Sequence, residues 1–277
     1  MKSIAIFSGK GGVGKTTFSI ILGSWLSYHL KERVIAYDFE SPEQRMMNKR
    51  NSDLNFIKSK SPTLIKYCEG LTPYPIGAIR PSANGYTLEE LDVIERNFRK
   101  ARSSGDGYII CDFPGRFGAQ EAVYRLTAAG LIDLMVFPIQ PEEQSIQSML
   151  IINKFLTNPE FFHDPGYSQK VMCFWNMVTR NDFGKRTKTD IMGTYEKIFS
   201  MLHIPVSPTR VRFADTMKRS SNSPVFVTTT VCYPRPNIFK AFPPKEGSDI
   251  PYIENLFQEM KDRLDGVITS GVPEESE

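Results

Sequence analysis

Nine residues near the start of the chain, Gly9-Lys10-Gly11-Gly12-Val13-Gly14-Lys15-Thr16-Thr17, restrict what it can fold into more than any other feature. They follow a short apolar run, residues 2–8, and open a segment whose apolar residues Phe18, Ile21, Leu22, Trp25, Leu26 and Leu30 recur at spacings of three and four. A buried parallel strand, a glycine-rich turn and an amphipathic helix are expected in that order. The turn fits G-x-x-x-x-G-K-[ST], the pattern of a loop that wraps phosphates. Glycines let backbone N–H groups point inward where side chains would block them, and the new helix adds the positive end of its dipole. In that setting Gly11, Gly12, Val13, Gly14 and Thr17 form the cradle. Lys15 supplies a point charge to the outer phosphates, and the Thr16 hydroxyl suits a Mg²⁺ ion bridging them.

The rest of the chain alternates in the same way. Strands are expected at Val34 to Tyr37, Tyr108 to Cys111, Leu131–Ile139, Lys170–Trp175 and near Ile204–Val206. Helices are expected over Thr87 to Arg102, Ala119–Ala129, Glu142–Leu156, Asp182–Leu202 and Ile253–Leu264, with Thr87 and Glu90 spaced as a capping box. This alternation predicts an α/β fold with a mostly parallel twisted sheet that carries helices on both faces, and with the phosphate loop at its start a single-domain P-loop NTPase is expected. Residues 41–86 are the exception: Pro, Ser, Asn and basic residues predominate, and short helices with a partner-facing surface are expected there.

Charge and cysteines narrow the setting. The net charge is only +3, but residues 245–277 hold nine acids against three bases, which leaves a +9 body and a −6 end. The expected division is a domain over 1–265 and a flexible acidic tail over 266–277. Cys68, Cys111, Cys173 and Cys232 include no C-x-x-C pair, so reduced thiols in a cytoplasmic protein are expected. No apolar run approaches the roughly 18 residues of a membrane span.

Carboxylates at strand ends face the ligand crevice of an open α/β sheet. Asp112 closes the strand Tyr108 to Cys111 and precedes Phe113-Pro114-Gly115, which suits a carboxylate holding Mg²⁺ or its water. Asp38 and Glu40 close the second strand as Asp-Phe-Glu; alternation predicts both on one side, one ordering the metal's water shell and the other the attacking water.

The two lysines flanking the glycines, Lys10 and Lys15, go beyond a generic phosphate loop. Lys10-Gly-Gly-Val-Gly-Lys15-Thr-Thr resembles the deviant Walker A motif of the ParA/MinD family of ATPases. The likeness continues through Asp38-x-Glu40, Asp112-Phe-Pro-Gly115, Pro138-Ile-Gln140-Pro141 and Asn176. It implies an ATP- and Mg²⁺-dependent homodimer with ATP sandwiched between subunits. Lys10 would reach the partner's phosphates, Asn176 would face adenine, and Lys10, Lys15, Asp38 and Glu40 would serve catalysis. Within the family the partitioning branch is expected, hydrolysing ATP to cycle between DNA- or cargo-bound and free states, in the service of a plasmid or conjugative element.

Three departures from the family pattern stand out. Glu40 replaces the usual second aspartate, the segment Asn176-Met-Val-Thr179 lacks the usual acid, and Phe113 stands where a proline is common. A nucleotide-gated scaffold with little hydrolysis, or a metabolic synthetase on the same scaffold, is the alternative. Basic groups at Arg96, Arg99, Lys100 and Arg102, at Lys185, Arg186 and Lys188, and at Arg210, Arg212, Lys218 and Arg219 are candidates for nonspecific DNA phosphates. The mixed charge of Ile253–Leu264 and the acidic tail argue against a membrane anchor; its apolar stripe is expected to pack on the body.

Overall fold

The computed structural model describes residues 1–40, 43–60, 72–82, 85–115, 121–156, 170–179, 182, 191–212, 241–242 and 253–266. Six strands form one sheet: β1 (Lys2–Ile6), β2 (Val34–Asp38), β3 (Ile76–Ala78), β4 (Tyr108–Asp112), β5 (Leu134–Ile139) and β6 (Val171–Trp175). All neighbours are parallel and the order is β3-β2-β4-β1-β5-β6. The helices are α1 (Lys15–Ser24), α2 (Arg45–Lys60), α3 (Leu88–Arg102), α4 (Glu121–Ala128), α5 (Glu143–Leu156), α6 (Ile191–Met201) and α7 (Ile253–Asp265). A two-residue antiparallel pair, β7 (Arg210–Val211) with β8 (Ala241–Phe242), stands apart.

Burial explains why the strands read as continuous apolar runs. Every residue of β4, β5 and β6 is buried, because helices cover both faces of this part of the sheet. One core lies under α3, α4, α5 and α6 and includes Phe7, Phe98, Phe113, Phe137, Trp175 and Phe199. The other lies under α1, α2 and α7, where Phe257 packs on Phe18 and Trp25 at ring-centroid distances of 5.4 and 5.5 Å. The apolar stripe of α7, namely Ile253, Leu256, Phe257 and Met260, is thus spent on the body, as its periodicity predicts. No helix among the described residues is long and apolar enough to cross a membrane.

Several boundaries differ from expectation. Residues 41–86 hold a 16-residue helix, α2, and the edge strand β3, where short helices alone were expected. The polar face of α2 hides its period, and three residues, Ile76-Gly77-Ala78, are too few to signal a strand. The helix after Lys15 changes pitch at Trp25–His29 into a π-turn. The strand near Ile204–Val206 is reduced to one bridge, Cys173 with Val206. The helix expected from Asp182 is described only from Ile191, and its earlier residues lie outside the described set, as do the tail after Gly266, Cys68 and Cys232.

The Thr87 capping box forms as expected. Glu90 N donates to Thr87 Oγ1 at 3.2 Å, and Thr87 N donates to Glu90 Oε2 at 2.7 Å. Arg102 at the other end of α3 is structural: it donates to both oxygens of Asp133 at 2.8 and 3.0 Å and to Leu131 O at 2.6 Å. Of the basic groups, Arg99 pairs with Glu95 and Arg210 with Glu196. These three arginines are therefore not loose cations. Lys185, Arg186, Lys188, Lys218 and Arg219 lie outside the described residues.

Candidate functional site

Chain connections run outward in opposite directions from β1, toward β4 and β2 on one side and β5 and β6 on the other. A crevice opens at such a switch point, beyond the carboxyl ends of the strands. The parallel register aligns Ile6 with Asp112 and Asp112 with Asp38, so β1, β4 and β2 end level and two carboxylates stand beside the phosphate loop.

The loop has the geometry that its glycines allow. Gly14 is the N-cap of α1 at φ 87°, in the left-handed region, and a Cβ there would lie 2.7 Å from Asn176 Nδ2. No side chain caps α1 and no acid occupies its first turn, so its leading N–H groups remain open to an anion. Lys15 is 5% exposed, with Nζ donating to Lys10 O at 3.1 Å. Burial lowers its pKa, while Asp112 and Glu40 oppose that shift. Gly115 closes on the same point: a Cβ would sit 2.7 Å from both Lys10 O and Lys15 Nζ.

The carboxylates have distinct surroundings. Thr16 Oγ1 donates to Glu40 Oε2 at 3.1 Å. Asp112 is fully buried; Ser19 Oγ donates to its Oδ1 at 3.4 Å, and its Oδ2 has no hydrogen-bond partner among the described residues. Burial, reinforced by the charges of Asp38 and Glu40, pushes its pKa up to about 7 against the pull of Thr16 and Lys15. An orphaned buried carboxylate oxygen is costly. Asp112, Thr16 and Glu40 therefore fit a divalent cation or the water bound to it, the donor set being hard oxygen.

Asp38 and Glu40 both act on Asp112, but their hydrogen-bond partners differ. Asp38 accepts N–H bonds from Glu40, Met46 and Met47 at 3.1, 3.0 and 3.1 Å, so it caps the start of α2. Strand β2 ends at Asp38, so Glu40 lies just beyond it. Burial raises the Asp38 pKa, and those three amide bonds hold it back. Lys10 forms an ion pair with Glu142, just ahead of α5. Asn176 donates from Nδ2 to Val13 O at 2.7 Å, which ties the end of β6 to the loop.

The CobQ/CobB/MinD/ParA nucleotide binding domain (CbiA) matches residues 4–223, about four fifths of the chain and all of the loop and strand ends just described. The chain belongs to this family. No curated protein matches it in sequence. Among solved structures, the MinC:MinD cell division protein complex of Aquifex aeolicus is similar at TM-score 0.54 and 18% identity, over 83% of this chain and 86% of that one. A putative plasmid partition protein of Borrelia burgdorferi bound to AMPPNP gives 0.54 and 13%, over 96% and 99%. The septum site-determining protein MinD of Pyrococcus horikoshii, complexed with Mg-ADP, gives 0.53 and 13%, over 99% of each chain. At these identities the likeness is one of fold, and the α/β P-loop architecture of the ParA/MinD ATPases is the one observed.

The ParA/MinD signature residues are thus brought together, with Asp38 engaged by three backbone amides. Sequence reasoning missed three neighbours, Ser19, Glu142 and Arg45, and gave no role to a fourth, Gln140. Ser19 lies four residues after Lys15, on the same helix face, and its Oγ also donates to Lys15 O at 3.0 Å. Gln140 Nε2 reaches Gly12 O at 3.5 Å, and Arg45 Nε lies 3.7 Å from Glu40. Neither Glu142 nor Arg45 carries a signal beyond charge near an element's start.

Proposed function

We propose that this chain is an ATP-dependent, dimerising ATPase of the partition type, acting in the cytoplasm with Mg²⁺ and releasing ADP and phosphate. The observation that carries the reading is the buried Oδ2 of Asp112, unpartnered among the described residues, beside Thr16, Glu40 and Lys15. Such a cluster is costly without a ligand and suited to a metal–triphosphate. Gly11, Gly12, Val13, Gly14 and Thr17 would hold the phosphates through backbone and hydroxyl. Lys15 Nζ would exchange Lys10 O for a phosphate oxygen. Thr16 and Asp112 would hold Mg²⁺, which supplies charge neutralisation across the outer phosphates. Glu40 would orient the attacking water and accept its proton, while Asp38 keeps the Glu40 loop in place. Asn176, its Nδ2 on Val13 O, would offer Oδ1 to the amino group of adenine.

Lys10 would serve in trans. It would leave Glu142 for the phosphates of a second subunit, which couples nucleotide binding to homodimerisation. The partition role, with DNA or a cargo protein and a plasmid or conjugative element behind it, is supported by the likeness to the Borrelia protein and by a basic body. A nucleotide-gated scaffold is the second reading. It is favoured by the engagement of Asp38 in capping α2, which leaves Glu40 alone to handle water.

The test is molar mass by light scattering with ATP, ADP or no nucleotide, followed by a gel shift on nonspecific duplex under the same conditions. A dimer and a shifted band with ATP alone are expected. A monomer in all three states would remove the dimer model.

A further inference from the structure

The nucleotide site does not account for a second concavity, of about 400 Å³, between α3 and the outer half of the sheet. Its origin lies in how β2 is covered. On the α3 face, Ala5 of β1 and Ile109 and Cys111 of β4 are fully buried, whereas Ile35 and Tyr37 of β2 are only half-buried. On this face the edge strand β3 offers only Gly77, which pairs with Tyr37, so little bulk fills the gap. Ile35, Tyr37 and Ile79 form an apolar floor, and Ile94 and Phe98 of α3 form the facing wall. Phe39 closes one end and stacks on Phe113, with ring centroids 4.4 Å apart.

The rim has a different chemistry. Arg33, Lys100 and Asn97 line it, and no carboxylate does. Arg33 donates from Nη1 to Ser104 O at 2.6 Å, which fixes the guanidinium at the mouth and leaves its other N–H groups without a partner among the described residues. The Lys100 ammonium and the Asn97 amide likewise have none among the described residues. This contrasts with the arginines elsewhere on α3: Arg99 and Arg102 are each matched by a carboxylate. Two cations share one apolar mouth with no counter-charge among the described residues.

An apolar cleft in this size range with a few convergent polar groups is the usual form of a small-molecule site. A bare phosphate or a nucleic-acid backbone would use the cations and leave the floor idle. A neutral apolar molecule would use the floor and leave the cations unmatched. We propose that this concavity binds a small amphipathic carboxylate, with a flat apolar body against Ile35, Tyr37 and Phe98 and its anionic group on Arg33 and Lys100. The planar fork of Arg33 suits a carboxylate, and Lys100 adds a point charge. The residues that line this site are separate from those of the phosphate loop, so its occupancy does not depend on the nucleotide reading.

The experiment uses the full chain without nucleotide and the fluorescent anion 8-anilino-1-naphthalenesulfonate, displaced in turn by 2-naphthoate and by the neutral 2-naphthalenemethanol. One saturable site is expected, with the carboxylate displacing the probe at least about fivefold more tightly than the alcohol, the size of one partly exposed charge contact. Lys100→Ala, on an exposed side chain that folding does not need, should erase most of that preference. Ala101→Leu projects into the same cavity and should weaken both competitors about tenfold, the effect of losing well over 1 kcal/mol of contact. Absence of a saturable displaceable site overturns the proposal. So does equal displacement by carboxylate and alcohol, or a preference that survives Lys100→Ala.

Discussion

Thr16 donates its hydroxyl to Glu40 Oε2 across 3.1 Å, joining the first turn of α1 to the loop that follows β2. The carboxylate nearer the strand, Asp38, is taken up by three backbone amides, so Glu40 is the acid of this pair left available for a water molecule. Glu40→Gln should therefore lower steady-state phosphate release by about a hundredfold or more, the usual worth of a positioned base, with ATP affinity little changed. Turnover equal to the parent chain would remove Glu40 from that role.

Asp112 bears on metal dependence. Asp112→Asn keeps the shape of a fully buried side chain but removes the charge. In the parent chain Mg²⁺ should tighten ATP binding; in the variant that gain should largely vanish, as read by titration with and without EDTA. An undiminished Mg²⁺ effect would place the ion elsewhere.

Lys10 separates binding from assembly. Its ammonium is paired with Glu142, away from the Lys15 side chain, which reaches only its backbone carbonyl. Lys10→Ala is expected to bind ATP with near-parental affinity and to stay monomeric with ATP in light scattering. A normal ATP-dependent dimer in this variant would show that Lys10 has no part in assembly.

What the sequence made legible follows the physics of each element. β1, β4, β5 and β6 are buried on both faces and announce themselves as apolar runs, and the loop between β1 and α1 must be glycine-rich to do its work. Asp112 is legible because it ends such a run. β3 was not, since its three half-buried residues at a sheet edge need no apolar pattern. The difference in partners between Asp38 and Glu40 was hidden as well. It depends on where α2 begins, and a helix rich in Asn, Lys and Arg gives no such signal. Pairings across long separations, such as Lys10 with Glu142 or Arg102 with Asp133, have no trace in local spacing.

Stability should depend strongly on the seat of α7. Phe257 is fully buried between Phe18 and Trp25. Phe257→Ala should cost about 3–5 kcal/mol, as truncation of a large buried aromatic does, and shift the denaturant midpoint accordingly. A cost below about 1 kcal/mol, the range of exposed positions, would mean that the helix is not anchored there.

The account rests above all on Lys15, the buried cation at the centre of the phosphate loop. Calorimetric titration of Mg-ATP into the parent chain and into Lys15→Ala tests it most directly. The parent should bind one nucleotide per chain, and the variant should lose at least about a hundredfold in affinity, as expected when a charge-assisted contact of nearly 3 kcal/mol is removed. Equal affinity in the two proteins, or no binding to the parent, would contradict a nucleotide site at this loop.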